Sequence, residues 1–159
     1  LAGSCSVATL AQVARHAARH PALRIDPAAD PEAAFAQGAA FLARHRGARP
    51  LLHSSDEPAA VAAAQARWGR EALAGRLDAL FARLATHGLS QGFDALVVAG
   101  GETSGAVAQA LGFLSYEVGA EIAPGVPSLW PSGGGRGVVL KSGNFGGEEF
   151  FDKALDALA

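Results

Sequence analysis

Cysteine is nearly absent from this chain of 159 residues, where Cys5 stands alone. One thiol cannot staple a fold, and a chain with no disulfide option suits a reducing compartment, so the expected location is cytoplasmic. Long apolar runs are missing too. No stretch approaches the ~20 residues that a membrane helix needs, because the alanine-rich segment 59–66 is broken by Gln65 and followed by Arg67. No membrane association is expected. A surplus of charge is also lacking: the formal net charge is -2 and the thirteen basic residues are scattered, which leaves no basic stripe for a nucleic acid.

What the chain has is apolar material and glycine. Half of the residues are hydrophobic and 20 are glycine, enough for one compact domain with many turns. Leu1-Ala2-Gly3 reads as the tail of a strand entering a glycine turn, so the chain reads as starting inside a larger one. Helical spacing covers Thr9 to His20 and stops at Pro21, and a short strand follows at Leu23-Arg24-Ile25. Asp30 before Pro31 and Glu32 is a helix start, and the pattern runs to Gly47. After a brief strand at 51–55, Ser55 or Asp56 caps a helical region that contains Pro58 early and continues to Gly88; Gly69 and Gly75 are candidate breaks. Its stripe of Leu73, Leu77, Leu80, Phe81 and Leu84 is what a helix covering a sheet shows.

The run Ala95-Leu96-Val97-Val98-Ala99 is apolar throughout, the pattern of a strand buried on both faces. A helix over 103–111 follows. Strands at 114–118 and 137–141 flank a proline- and glycine-rich loop over 124–135, and a helix over 148–158 closes the chain. This alternation predicts an α/β layered domain with a mainly parallel sheet flanked by helices, with ligands outside the carboxyl ends of the strands.

Three glycine turns fall at those strand ends: Gly3-Ser4-Cys5-Ser6, Gly100-Gly101-Glu102-Thr103-Ser104-Gly105 and Ser142-Gly143-Asn144-Phe145-Gly146-Gly147. Glycines let a backbone approach a phosphate, and Thr103 and Ser104 add hydroxyls at a helix N-terminus, where unpaired N–H groups favour anions. Gly143, Gly146 and Gly147 around Asn144 permit a nest of N–H groups, with Lys141 close by. Lys141 is either a phosphate contact or a solvated strand end. Glu102 is a metal candidate, holding Mg²⁺ through water, with helix capping as its alternative. Glu148 and Glu149 read as charge complementarity at a helix start.

Several other signals carry no chemistry on this reading. Leu140 stands before Lys141 where a Walker A loop requires glycine, so that loop is excluded. His16 and His20 have the spacing of a helical metal pair, but Arg15 and Arg19 flank them and no third ligand is evident, so a solvated face is expected. His45, His53 and His87 are isolated, and Cys5 has no histidine or acid beside it in sequence.

The ordered motifs Gly3-Ser4-Cys5-Ser6, Ala99-Gly100-Gly101-Glu102-Thr103-Ser104-Gly105 and Leu140-Lys141-Ser142-Gly143-Asn144-Phe145-Gly146-Gly147 resemble the four-carbon acid sugar kinase family, in its 3-oxo-tetronate kinase branch. The resemblance spans essentially the whole chain. It implies that residues 1–159 are the nucleotide-binding C-terminal domain of a larger chain, using ATP with Mg²⁺ to phosphorylate the terminal hydroxyl of a four-carbon sugar acid. It places Ser4 or Ser6, Gly100 to Thr103 and Gly143 at the nucleotide; Ser104, Lys141 and Gly146 join them from the residue reading. The sugar acid and the proton acceptor belong to the family's N-terminal domain, absent here, so no catalytic base can be named. Homo-oligomerisation is left open.

Two rivals stand beside this. A dinucleotide-binding domain of the NAD(P) type would use the Gly100 turn with Glu117 or Glu121 as the ribose acid, although the glycines here occupy positions one, two and six instead of one, three and six. A non-catalytic nucleotide-sensing module is the other.

Overall fold

A computed structural model describes residues 1–54, 62, 66 and 69–159. The expected cap at Ser55 or Asp56 and the early Pro58 lie outside the described residues. Helix α1 (Val7–Ala17) is capped by Ser6, whose hydroxyl oxygen accepts from the Thr9 N–H. Strand β1 (Ala22–Arg24), helix α2 (Pro31–Arg44) and strand β2 (Leu51–His53) follow. Asp30 caps α2 through the Ala33 N–H with Pro31 in its first turn, as the sequence predicts. Helix α3 (Arg70–Ser90) starts after Gly69, whose φ of 81° makes it the break, while Gly75 lies inside an unbroken helix. Strand β3 (Ala95–Ala99) leads through Gly100 directly into α4 (Gly101–Leu111). Strands β4 (Tyr116–Ala123), β5 (Val126–Pro131) and β6 (Gly137–Lys141) precede α5 (Phe150–Ala157).

The sheet is mixed, which corrects the expectation of a mainly parallel one. β1 pairs with β2 and β3 with β6 in parallel, and Leu1–Gly3 completes the parallel half by lying between β2 and β3, with Ala2 bridged to both His53 and Ala99. The other half is a β4–β5 hairpin in the order β3-β6-β5-β4, antiparallel within itself and to β6. Its β5 occupies half of the segment read as a loop. Pro127 and Pro131 argue against a strand because they lack an N–H; here they tolerate one because β5 joins β6 through the single pair Leu129–Val138, while register shifts interrupt its pairing with β4.

Helices cover both faces of the parallel half. Val13 of α1 and Phe150, Phe151 and Ala154 of α5 pack with Ala2, Leu51, Val97, Ala99 and Val139 on one face. On the other, α2 and α3 bury Leu42, Leu77, Phe81 and Leu84 with Leu52, and α4 buries Val107 against Val98. Alternate residues of β2 and β3 thus point to opposite layers, as the pleat requires. Among the described residues no helix is long and apolar enough to cross a membrane.

Candidate functional site

Leu1–Gly3, β3 and β6 are adjacent and parallel, so their carboxyl ends, and the glycine turns that follow, meet at one edge. The contact is close enough to dictate residue type. A Cβ on Gly3 would run into Thr103 Oγ1, and one on Gly143 would run into Ser4 Oγ while lying 2.9 Å from Ser6 Oγ. Gly100 has a φ of 130°, and a Cβ there would sit 3.3 Å from the Ser4 nitrogen. By contrast Gly101, Gly105 and Gly147 would meet nothing within 4 Å. Those three glycines lie on the open side of the edge.

The third turn is held from inside by polar side chains. The Gly143 carbonyl accepts from Ser6 Oγ at 2.6 Å, Thr9 Oγ1 at 2.9 Å and Lys141 Nζ at 3.1 Å. Gln12, fully buried in α1, directs Nε2 at the carbonyls of Phe145, Gly146 and Gly147 at 2.9 to 3.1 Å. A planar trans peptide points each N–H opposite to the preceding C=O. The N–H groups of Asn144, Gly146, Gly147 and Glu148 therefore point away from these anchors. At the second turn the first intrahelical bond runs from the Ser104 N–H to the Gly100 carbonyl, so those of Gly101, Glu102 and Thr103 precede it at the positive end of α4.

The hydroxyls named from sequence turn inward. Thr103 is buried and donates to Asp78 Oδ1 at 2.8 Å, Ser104 lies over the Val98 and Lys141 carbonyls, and the Ser6 hydroxyl serves the α1 cap and Gly143. The Ser4 hydroxyl accepts from the Ser6 N–H. What these residues offer at the open edge is backbone. Lys141 is not a solvated strand end: it is 2% exposed, its Nζ also donates to Thr9 Oγ1 and the Ser142 carbonyl, and Phe150 lies beneath it at 5.6 Å. Burial without a carboxylate among those partners lowers its pKa from 10.5 to about 8.

Glu102 stands exposed in the first turn of α4 and makes no capping bond, which removes the capping alternative. Its charge reaches Asp78 of α3, whose carboxyl is raised above the ordinary range by burial, against the Thr103 hydrogen bond that lowers it, and raised further by Glu102. Two carboxylates beside the positive end of a helix could hold a divalent cation. Asp78, Thr9 and Gln12 are not foreseen from sequence. Thr9 and Gln12 were legible as polar residues on the α1 face that also carries Val13 and His16; Asp78 reaches the site only through packing of α3 on α4. Glu149 does more than complement a helix start, since it pairs with Arg15 of α1 and with Arg19 just beyond it.

The dinucleotide reading loses its ribose acid. Glu117 and Glu121 lie on β4, separated from β3 by β6 and β5, and Glu121 accepts from the Gly125 N–H in the hairpin turn.

Comparison with known proteins agrees with the geometry. The chain is 45% identical over 164 residues to a 3-oxo-tetronate kinase of Methylobacterium radiotolerans, covering 100% of this chain and 39% of that protein. It is 48% identical to the 3-oxo-tetronate kinase of Burkholderia multivorans, covering 99% of this chain and 38% of that protein. A crystal structure of a Haemophilus influenzae protein superposes with a TM-score of 0.91 at 32% identity, covering 99% of this chain and 39% of that one. The chain thus spans somewhat over a third of the length of these relatives. Residues 1–151 match the model of a family described as the nucleotide-binding C-terminal domain, and to that family the chain belongs.

Proposed function

We propose that this chain is the ATP-holding part of a kinase that transfers the γ-phosphoryl group to the terminal hydroxyl of a 3-oxo-tetronate. The observation that carries it is the outward set of N–H groups at the second and third turns, left ahead of the first bond of α4 at the second and turned outward at the third because Lys141, Ser6, Thr9 and Gln12 hold its carbonyls inward. Such donors bind phosphate oxygens without moving, so their electrostatic work is done before the ligand arrives. The 3-oxo-tetronate kinases it resembles supply the substrate class.

Mg²⁺ fits the donor set: Glu102 and Asp78 would hold it, directly or through water, and it would neutralise charge on the transferring phosphate. Thr103 fixes one Asp78 oxygen, so the carboxylate is oriented in advance. Phosphoryl transfer needs donor and acceptor held in line. Nothing described here is equipped to orient a sugar acid and take its proton; those groups belong to the part of the relatives that this chain does not span.

Calorimetric titration of the chain with ATP, adenosine and NAD⁺ in Mg²⁺ tests this. Saturable ATP binding that weakens in Glu102→Gln and Asp78→Asn is expected, with adenosine and NAD⁺ weaker. No turnover of a 3-oxo-tetronate is expected until the remaining part of the protein is added. Tighter binding of NAD⁺ than ATP, or full-rate turnover by the chain alone, would overturn the reading.

A further inference from the structure

On the far side of α1 from its capped end, three side chains meet that nucleotide binding leaves unused. His16 lies in the last turn of α1, and the i to i+4 bond from the His20 N–H to the His16 carbonyl carries that turn on to His20. Asp152 comes from the first turn of α5. Its Oδ1 lies 2.9 Å from His16 Nδ1 and 3.1 Å from His20 Nε2, and the three atoms lie within 4.8 Å of one another. His16 is buried, so the solvated face expected from sequence is corrected. The third ligand that the sequence does not reveal is 132 positions beyond His20, on another helix.

Two acceptors flank the His16 ring. Nε2 faces the Arg49 carbonyl at 2.9 Å, and a carbonyl only accepts, so Nε2 carries the proton. In the neutral tautomer with that proton, Nδ1 keeps a lone pair aimed at a carboxylate oxygen. Two electron-rich atoms at that distance are bridged either by a second ring proton or by a metal cation. Arg19 supplies no charge there: it engages the other oxygen, Oδ2, at 3.1 Å, and so keeps Oδ1 turned to both imidazoles.

We propose that His16 Nδ1, His20 Nε2 and Asp152 Oδ1 form a site for a zinc-class divalent metal, with water completing a tetrahedron. Two imidazoles and one carboxylate suit zinc and its transition-metal neighbours over Mg²⁺. Metal–ligand bonds of about 2.0–2.1 Å separate tetrahedral donors by about 3.3 Å, near the two spacings observed to Asp152. The Arg49 carbonyl is the outer partner that a metal-bound histidine ordinarily has on its second nitrogen. The metal would tie α1 to α5. Because α1 also holds the third glycine turn, through Ser6, Thr9 and Gln12, the role is structural support of that turn.

Chelator-treated protein titrated with Zn²⁺ alone, without nucleotide, tests the site by calorimetry and by thermal melting. Binding of one equivalent with a raised melting midpoint is expected. His20→Ala and Asp152→Asn should each cut the affinity at least tenfold, while His87→Ala, on α3 against Phe35, leaves it unchanged. His20 is more exposed than His16, so its variant serves if replacing His16 prevents folding. Absence of saturable binding, binding that survives both variants, or Mg²⁺ binding equally well would overturn the proposal. So would NMR showing His16 titrating as a simple imidazolium with no response to Zn²⁺.

Discussion

Replacing Gly143 by alanine tests whether the first and third turns are as tightly apposed as the structure has them. Gly143 does not hold a positive φ, so any cost comes from the added methyl and not from the backbone. That methyl would collide with Ser4 Oγ and lie 2.9 Å from Ser6 Oγ. Ser6 cannot simply rotate away, since its hydroxyl caps α1 and donates to the Gly143 carbonyl. Losing a serine cap costs about 1 kcal/mol and losing a side-chain hydrogen bond about 0.5–1.5 kcal/mol, so about 2 kcal/mol of stability should go. In a domain of this size that corresponds to a melting midpoint lower by about 4–8 °C. Urea unfolding should show an earlier midpoint at unchanged slope. Gly147→Ala and Gly101→Ala are the controls, because a methyl at either meets nothing within 4 Å, and each should stay within about 0.5 kcal/mol of the parent. Adding Ser4→Gly to Gly143→Ala should recover part of the loss, a non-additivity of at least about 0.5 kcal/mol. If Gly143→Ala proves no worse than Gly147→Ala, the apposition of the turns does not explain the glycine and the argument fails.

Gly101→Val should leave the fold in place, since the position is open, yet lower ATP affinity at least tenfold by covering the N–H groups at the start of α4; unchanged affinity by calorimetry would remove that cradle. Lys141 predicts a pH dependence. Its folded pKa of about 8 lies below the unfolded 10.5, so above pH 8 the folded chain holds fewer protons than the unfolded one and stability rises with pH towards 10.5. Between pH 7.5 and 9.5 that contribution is roughly 1–2 kcal/mol, and it should vanish in Lys141→Met, measured by urea midpoints at both pH values; the same slope in the variant would show that another group is responsible.

Order along the chain was legible without coordinates. Periodicity, caps and glycine punctuation locate α2 behind Asp30, β3 before Gly100 and the three turns at strand ends, because each is a local property of a few neighbouring residues. The motifs likewise sufficed for the family, since their order and spacing survive in one dimension. The β4–β5 hairpin was not legible: Pro127 and Pro131 read as loop, and only the pairing of β5 with its neighbours makes them strand residues. Nor was the direction of side chains at the site. Lys141 looks like a solvated strand end until Thr9, Ser142, Gly143 and Phe150 close around it, and the Thr103 hydroxyl has no evident direction until Asp78 of α3 accepts its hydrogen bond. His16 and His20 lacked a third partner for the same reason. Hydrogen bonds between groups more than a hundred residues apart are settled by how helices pack on the sheet, and no local spacing records that packing.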